Sequence, residues 1–180
     1  VKSIEPVQKL YFQNDSEIIS GPQPYKTLDT SYNYGSSFTQ MNLSDVPFVH
    51  SKNINGQNVI IGILDTGFDW KLHNSLKNRN VIVEYDFIFN DSITSNQTGD
   101  SPTQDRHGTY VFSILAGFVD SVLIGPAFNS SFILAKTEDV RSETHIEEDN
   151  YAAALIWMES LGVDITTSSL GYNIFDSGYS

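Results

Sequence analysis

The alternation of apolar and polar stretches along the chain predicts four strands and two principal helices. Val59-Ile-Ile-Gly-Ile-Leu64 is an unbroken apolar run rich in β-branched residues. Such a run reads as a strand covered on both faces, as in parallel sheets. Val81 to Phe87 and Ser131 to Thr137 read the same way, and Asp164 to Leu170 returns as a fourth strand. Between the second and third runs lies a polar, turn-rich stretch, Asn90 to Asp105. After it, His107 opens a segment in which Val111, Ile114 and Leu115 fall at helical spacing, with Gly117 as its stop. Between the third and fourth runs, Thr144 and Glu147 form a capping-box pattern. Tyr151, Ala154, Leu155, Met158 and Leu161 follow as one apolar stripe ending at Gly162. A short helix over Ser44 to His50 is expected to lead into the first strand. The order strand, strand, helix, strand, helix, strand predicts an α/β fold, a parallel sheet with right-handed crossovers and helices on both faces.

The region before this pattern is of a different kind. Val7 to Phe12 is its one apolar patch, and Gly21-Pro-Gln-Pro24 favours an extended course. Residues 1–33 therefore read as a tail or linker, and residues 34–180 as the folded unit. A chain of 180 residues with 39% hydrophobic content can bury a real core. A net charge of −12 argues against nucleic acid and anionic lipid as partners, because phosphate rewards the opposite sign. With no cysteine, disulfide frameworks, thiolate metal sites and thiol nucleophiles are excluded. No run approaches the roughly 18 apolar residues of a membrane span. The chain begins at Val1 and carries no basic-then-apolar leader, so any signal peptide is expected to have been removed or to lie outside these residues. Five Asn-x-Ser/Thr triplets, at Asn14, Asn42, Asn90, Asn96 and Asn129, are explained by an abundance of Asn and Ser.

Two residues stand out chemically. Asp65 ends the first strand, and the carboxyl ends of parallel strands are where ligands bind in open α/β sheets. The alternative for Asp65 is a purely local role, bonding turn amides before Gly67. His107 falls at a helix start, where the helix dipole disfavours an imidazolium and helps keep a neutral base. Asp65-Thr66-Gly67, followed 42 residues later by His107-Gly108-Thr109, resembles the boxes of the subtilisin-like serine proteases. Ser169-Leu170-Gly171 is similar to the end of that family's substrate-binding strand. The resemblance runs from about Tyr34 to Ser180. It implies an Asp/His/Ser triad hydrolysing peptide bonds, with Asp65 and His107 as catalytic residues. Ser169, Leu170 and Gly171 would bind protein or peptide substrate in an extended form. It also implies secretion, and a propeptide whose end Val1 to Val7 resembles.

One departure weighs on this reading. The nucleophile's Gly-Thr-Ser-Met box occurs nowhere in the sequence, and the oxyanion asparagine is not recognisable. The resemblance therefore implies the amino-terminal half of a catalytic domain, with the remainder of that domain as partner and no activity of its own. No cofactor is required. Calcium is possible at Asp91, Asp100 and Asp105, although a solvated loop has the same composition. The calcium site of subtilisin itself is not expected, because Asn74 stands in place of an aspartate and no ligand loop is recognisable near Asp120. Two other functions compete. Asp65-Thr-Gly67 with Asp176-Ser-Gly178 also fits an aspartic protease, but that class is all-β and the helical patterns oppose it. The second is a binding module, either a non-catalytic fragment or one chain of a two-chain protease.

Overall fold

The computed structural model describes residues 32–172 and 174–178. The tail assigned to residues 1–33, with its Val7 to Phe12 patch, its Gly21 to Pro24 loop and the Asn14 triplet, lies almost wholly outside the described residues. In chain order the elements are α1 (Phe38–Leu43), α2 (Val46–His50), β1 (Ile60–Asp65) and β2 (Asn80–Asp86). They continue as α3 (Arg106–Ala116), β3 (Phe118–Val119), β4 (Leu123–Ile124), β5 (Ser131–Lys136), α4 (His145–Ser160) and β6 (Ile165–Ser168). The four strands expected from the apolar runs form one parallel sheet in the order β2-β5-β1-β6. The other two, β3 and β4, make a small antiparallel hairpin that no long apolar run announces.

Alternation along β1 and β5 explains why both faces are covered. Ile61, Ile63, Phe132 and Leu134 point to one side, where they pack with Phe68, Leu76 and the α3 residues Phe112 and Ala116. Leu64, Ile133 and Ala135 point to the other, against Ala154 and Met158 of α4. Successive strand residues face opposite ways, so an apolar run without polar interruption requires a cover on each side. Each such side chain, fully buried, contributes about 1.5–3 kcal/mol.

The helices sit close to the expected positions, with their buried faces shifted. In α3 the face toward the sheet is Gly108, Thr109, Phe112, Ser113 and Ala116, while Val111 and Leu115 are half-buried and Ile114 is 59% exposed. The i, i+4 ladder through 108, 112 and 116 sets the phase, so the apolar residue at 114 falls on the outer surface. In α4, Ala154 and Met158 are buried as expected, but Leu161 is 42% exposed, past the last helical turn. Trp157 takes up part of its packing role by contacting Tyr85 and Phe87. The amino end of α4 is closed by Glu147, whose carboxylate accepts from Thr144 N at 3.2 Å. At the other end, Gly162 N bonds Glu159 O and Val163 N bonds Met158 O, the paired bonds of a Schellman stop.

The fourth strand is shorter than expected. Its ladder with β1 ends at Ser168, so Ser169 and Leu170 lie beyond the sheet. Its burial also departs from the parallel-sheet norm, since Ile165 is 56% exposed. At the amino side, buried His50 fastens α2: its Nε2 donates to Pro126 O at 2.9 Å, and Nδ1 accepts from Tyr34 OH at 2.6 Å. On the far side of the sheet a buried ammonium does comparable work. Lys136, at the end of β5, places Nζ 2.8 Å from Asp86 Oδ2 and 2.8 Å from Asp100 Oδ2, pinning the 87–100 loop to the strand ends.

Candidate active site

The carboxyl edge of the sheet gathers the residues singled out from the sequence. Asp65 is the last residue of β1 and is fully buried. Its Oδ1 accepts from Thr66 N at 2.7 Å and from Thr66 Oγ1 at 3.1 Å. The third donor to the same oxygen is His107 Nδ1, at 2.7 Å. Oδ2 is buried without a hydrogen-bond partner among the described residues. His107 lies in the first turn of α3, as its place in the pattern requires. Its ring is half-exposed, the side chain keeping 51% of its accessibility.

The glycines of the two boxes make this approach possible. Gly67 has φ +138, and a Cβ there would stand 2.6 Å from Thr94 O. A Cβ on Gly108 would stand 2.2 Å from Gly67 O and 3.0 Å from Asp65 Cβ. Both distances lie inside van der Waals contact, so the turn after β1 and the start of α3 touch backbone to backbone. The threonines complete the joint. Gly108 N donates to Thr66 Oγ1 at 3.3 Å, and Asp69 N donates to Thr109 Oγ1 at 2.8 Å. A carboxylate oxygen can only accept, so the bond to Asp65 places a proton on Nδ1 and leaves Nε2 as the basic nitrogen.

His107 opens onto a cleft of about 260 Å³ lined by Thr66, Glu138, Val140, Glu147 and the segment Ser169, Leu170, Gly171. The structure thus brings all five sequence-predicted site residues to one edge: Asp65 and His107 in contact, and Ser169 to Gly171 along the same cleft. The last three are positioned by loop backbone after β6 and not by the strand ladder, which corrects the expectation of a strand there.

Sequence reasoning missed the opposite wall. Asp65 closes β1 and Glu138 lies just beyond the end of β5, and adjacent parallel strands deliver such residues to the same edge. An acid directly after an apolar run was the available signal. Glu138 Oε1 accepts from Thr137 Oγ1 at 3.2 Å and from the hydroxyl of Tyr172, which spans from the Gly171 side. Burial pushes the Glu138 carboxyl above the ordinary range, while the bonds from Tyr172 and Thr137 pull it back. Burial raises the Tyr172 hydroxyl as well, reinforced by its bond to Glu138. Glu147 is buried and pushed up to about 7, against the pull of its bonds from Thr144 and Asp139 backbone. Asp139 is held low, chiefly by its bond from Arg141.

The carboxylates weighed as a possible calcium set each make bonds of their own. Asp91 Oδ1 accepts from Ile93 N at 2.8 Å, Asp100 pairs with Lys136, and Asp105 Oδ2 accepts from Asn96 N at 2.9 Å. Among the described residues no group of three or more His, Cys, Asp or Glu converges as a metal site.

Fold and site together define a parallel α/β domain with a carboxylate–imidazole pair at its carboxyl edge. A family model described as the subtilase family matches residues 56–180, and the chain belongs to that family. Its structure is similar to that of fervidolysin from Fervidobacterium pennivorans, a keratinolytic enzyme related to subtilisin. The TM-score is 0.51 and the identity 25%, over 64% of this chain and 17% of that one. The CspB protease of Clostridium perfringens is similar in fold at 18% identity, with a TM-score of 0.56 over 74% of this chain and 34% of that one. The chain therefore spans well under half the length of either neighbour. No curated protein matches it. A parallel sheet is incompatible with the all-β aspartic proteases, and Asp176 instead bonds Glu143, its Oδ2 accepting from Glu143 N at 3.1 Å.

Proposed function

We propose that this chain supplies the acid and base of a serine endopeptidase of the subtilisin type. One observation carries the reading: His107 Nδ1 is fixed on buried Asp65 while its ring stays open to a cleft edged by Ser169 to Gly171. In this reading an extended peptide lies along Ser169, Leu170 and Gly171, bonded through its backbone. His107 Nε2 takes the hydroxyl proton of a serine as that oxygen attacks the scissile carbonyl, and returns it to the leaving amine. Asp65 holds the tautomer and stabilises the transient imidazolium from a site without solvent. The serine and an oxyanion donor come from polypeptide outside these 180 residues. The setting is outside the cell and the substrates are proteins or peptides.

The partner implied is the remainder of the same catalytic domain. Ile165 on the edge strand and Ile156 on α4 are 56% and 69% exposed, apolar surface that a doubly covered sheet normally buries. Size-exclusion chromatography of the isolated chain should show self-association, and a well-protected monomer in hydrogen exchange would refute the pairing. Replacing His107 with Ala in the full-length protein should leave the fold nearly intact and lower kcat by several orders of magnitude. The 180-residue chain alone should neither turn over a fluorogenic peptide nor react with a fluorophosphonate. Labelling of any serine within the chain would overturn the assignment, and full activity in the His107→Ala variant would overturn it independently.

A further inference from the structure

We infer that Gln104 is a positioning residue for the proposed site: its carboxamide sets the cleft wall at 138–140 against the Asp65–His107 pair. The inference rests on the subtilase-type reading above. Gln104 is fully buried, although a side-chain amide in the interior must satisfy both its donors and its acceptor. It does so on main chain. Nε2 donates to Thr66 O at 2.7 Å and to Glu138 O, and Oε1 accepts from Val140 N at 3.1 Å. One planar group thereby joins the turn after β1, the chain after β5 and the approach to α3, just past the last backbone bond between the two strands, Thr137 N to Asp65 O at 3.0 Å.

Each segment carries part of the site. Thr66 supplies two of the three bonds on Asp65 Oδ1, and its hydroxyl accepts from Gly108 N beside His107. Glu138 and Val140 line the cleft that His107 faces. Displacing the amide therefore moves the base-orienting turn and the substrate wall together. A methionine fills the same space but leaves two carbonyls and one N–H without a partner. A glutamate is more informative. Ionised, it presents an acceptor to two carbonyls; protonated, it regains one donor and keeps the bond from Val140 N.

The test compares wild type, His107→Ala, Gln104→Met and Gln104→Glu in the full-length protein, using a fluorogenic peptide from about pH 5.5 to 9. Gln104→Met should lower kcat/KM by about a hundredfold, divided between KM and kcat, because both wall and base shift. Gln104→Glu should approach wild type at the acid end and fall away as pH rises, opposite to the rise that deprotonation of a histidine base gives. Variants within about threefold of wild type across the range, or a Gln104→Glu defect independent of pH, would overturn the inference while leaving the His107 reading in place. An inactive wild type, or an active His107→Ala variant, would instead sink that reading. In that case amide exchange on the full-length protein decides. The Val140 N–H should exchange at least about tenfold faster in Gln104→Met than in wild type, and an unchanged rate would overturn the positioning role.

Discussion

Replacing Lys136 with Met tests how the sheet edge is held together. Its ammonium lies 2.8 Å from both Asp86 Oδ2 and Asp100 Oδ2, and all three side chains are at most 1% exposed. Asp86 is also committed to the backbone, its Oδ1 accepting from Ile88 N at 2.7 Å and Phe89 N at 3.0 Å. Asp100 Oδ2 accepts from Gln97 N at 2.9 Å, so neither carboxylate is free to turn to solvent. Methionine fills the space and removes the charge, leaving two buried carboxylates side by side. Removing one partner of a buried ion pair costs about 3–5 kcal/mol, and here one cation serves two acids, which places the loss toward the upper end. For a chain of this size that is a drop in Tm of about 6–20 °C. The sign with pH follows from proton uptake. In the variant one carboxyl must hold a proton to stay buried, so the folded state binds more protons than the unfolded one. Stability is then greatest in acid and falls as pH rises. Urea unfolding of both proteins at about pH 5 and pH 8 should show the gap widening at the higher pH. A loss below about 1 kcal/mol at pH 8 would mean that this pair behaves as an exposed one, and the argument from burial would fail.

Gly108→Ala puts a Cβ 2.2 Å from Gly67 O, so α3 must withdraw from the Asp65 turn. A stability loss of about 1–3 kcal/mol should accompany a fall in kcat/KM of the full-length protein of about a hundredfold, and wild-type kinetics would show that the backbone contact is dispensable. Glu147, raised to about 7 by burial, binds its proton more tightly folded than unfolded. Its contribution is thus present below the ordinary glutamate range and lost as pH rises through about 7. Glu147→Gln should flatten that part of the stability–pH curve measured by thermal melts, and a curve of unchanged shape would refute the assignment.

The sheet was legible because its evidence is local: runs such as Val59 to Leu64 and Ser131 to Thr137 need no knowledge of their partners. The Asp65 and His107 boxes were legible for a related reason, since Asp65 closes such a run and His107 opens a helix. What escaped was set by contacts between distant segments. The phase of α3 depends on which side of the helix meets Phe132, and that choice buried Phe112 in place of Ile114. Asp100 looked like one acid in a solvated loop because its partner, Lys136, stands 36 residues later inside an apolar run. Gln104 and Glu138 carried no periodic signal at all, being polar residues whose importance lies in what the main chain brings beside them.

The strand order has a kinetic consequence. β5 lies between β1 and β2, so the first two strands to be synthesised have no hydrogen-bonded partner in each other. Pairing begins only when residues 131–136 arrive, long after both strands are made. Until then the nascent chain displays two apolar edges, and the loop closures that end this state span many residues before any contact rewards them. Folding of this domain should accordingly be slow and late during synthesis, with β5 as the step that commits it. Conditions that delay β5, more than any weakening of the finished core, would send the chain toward aggregation.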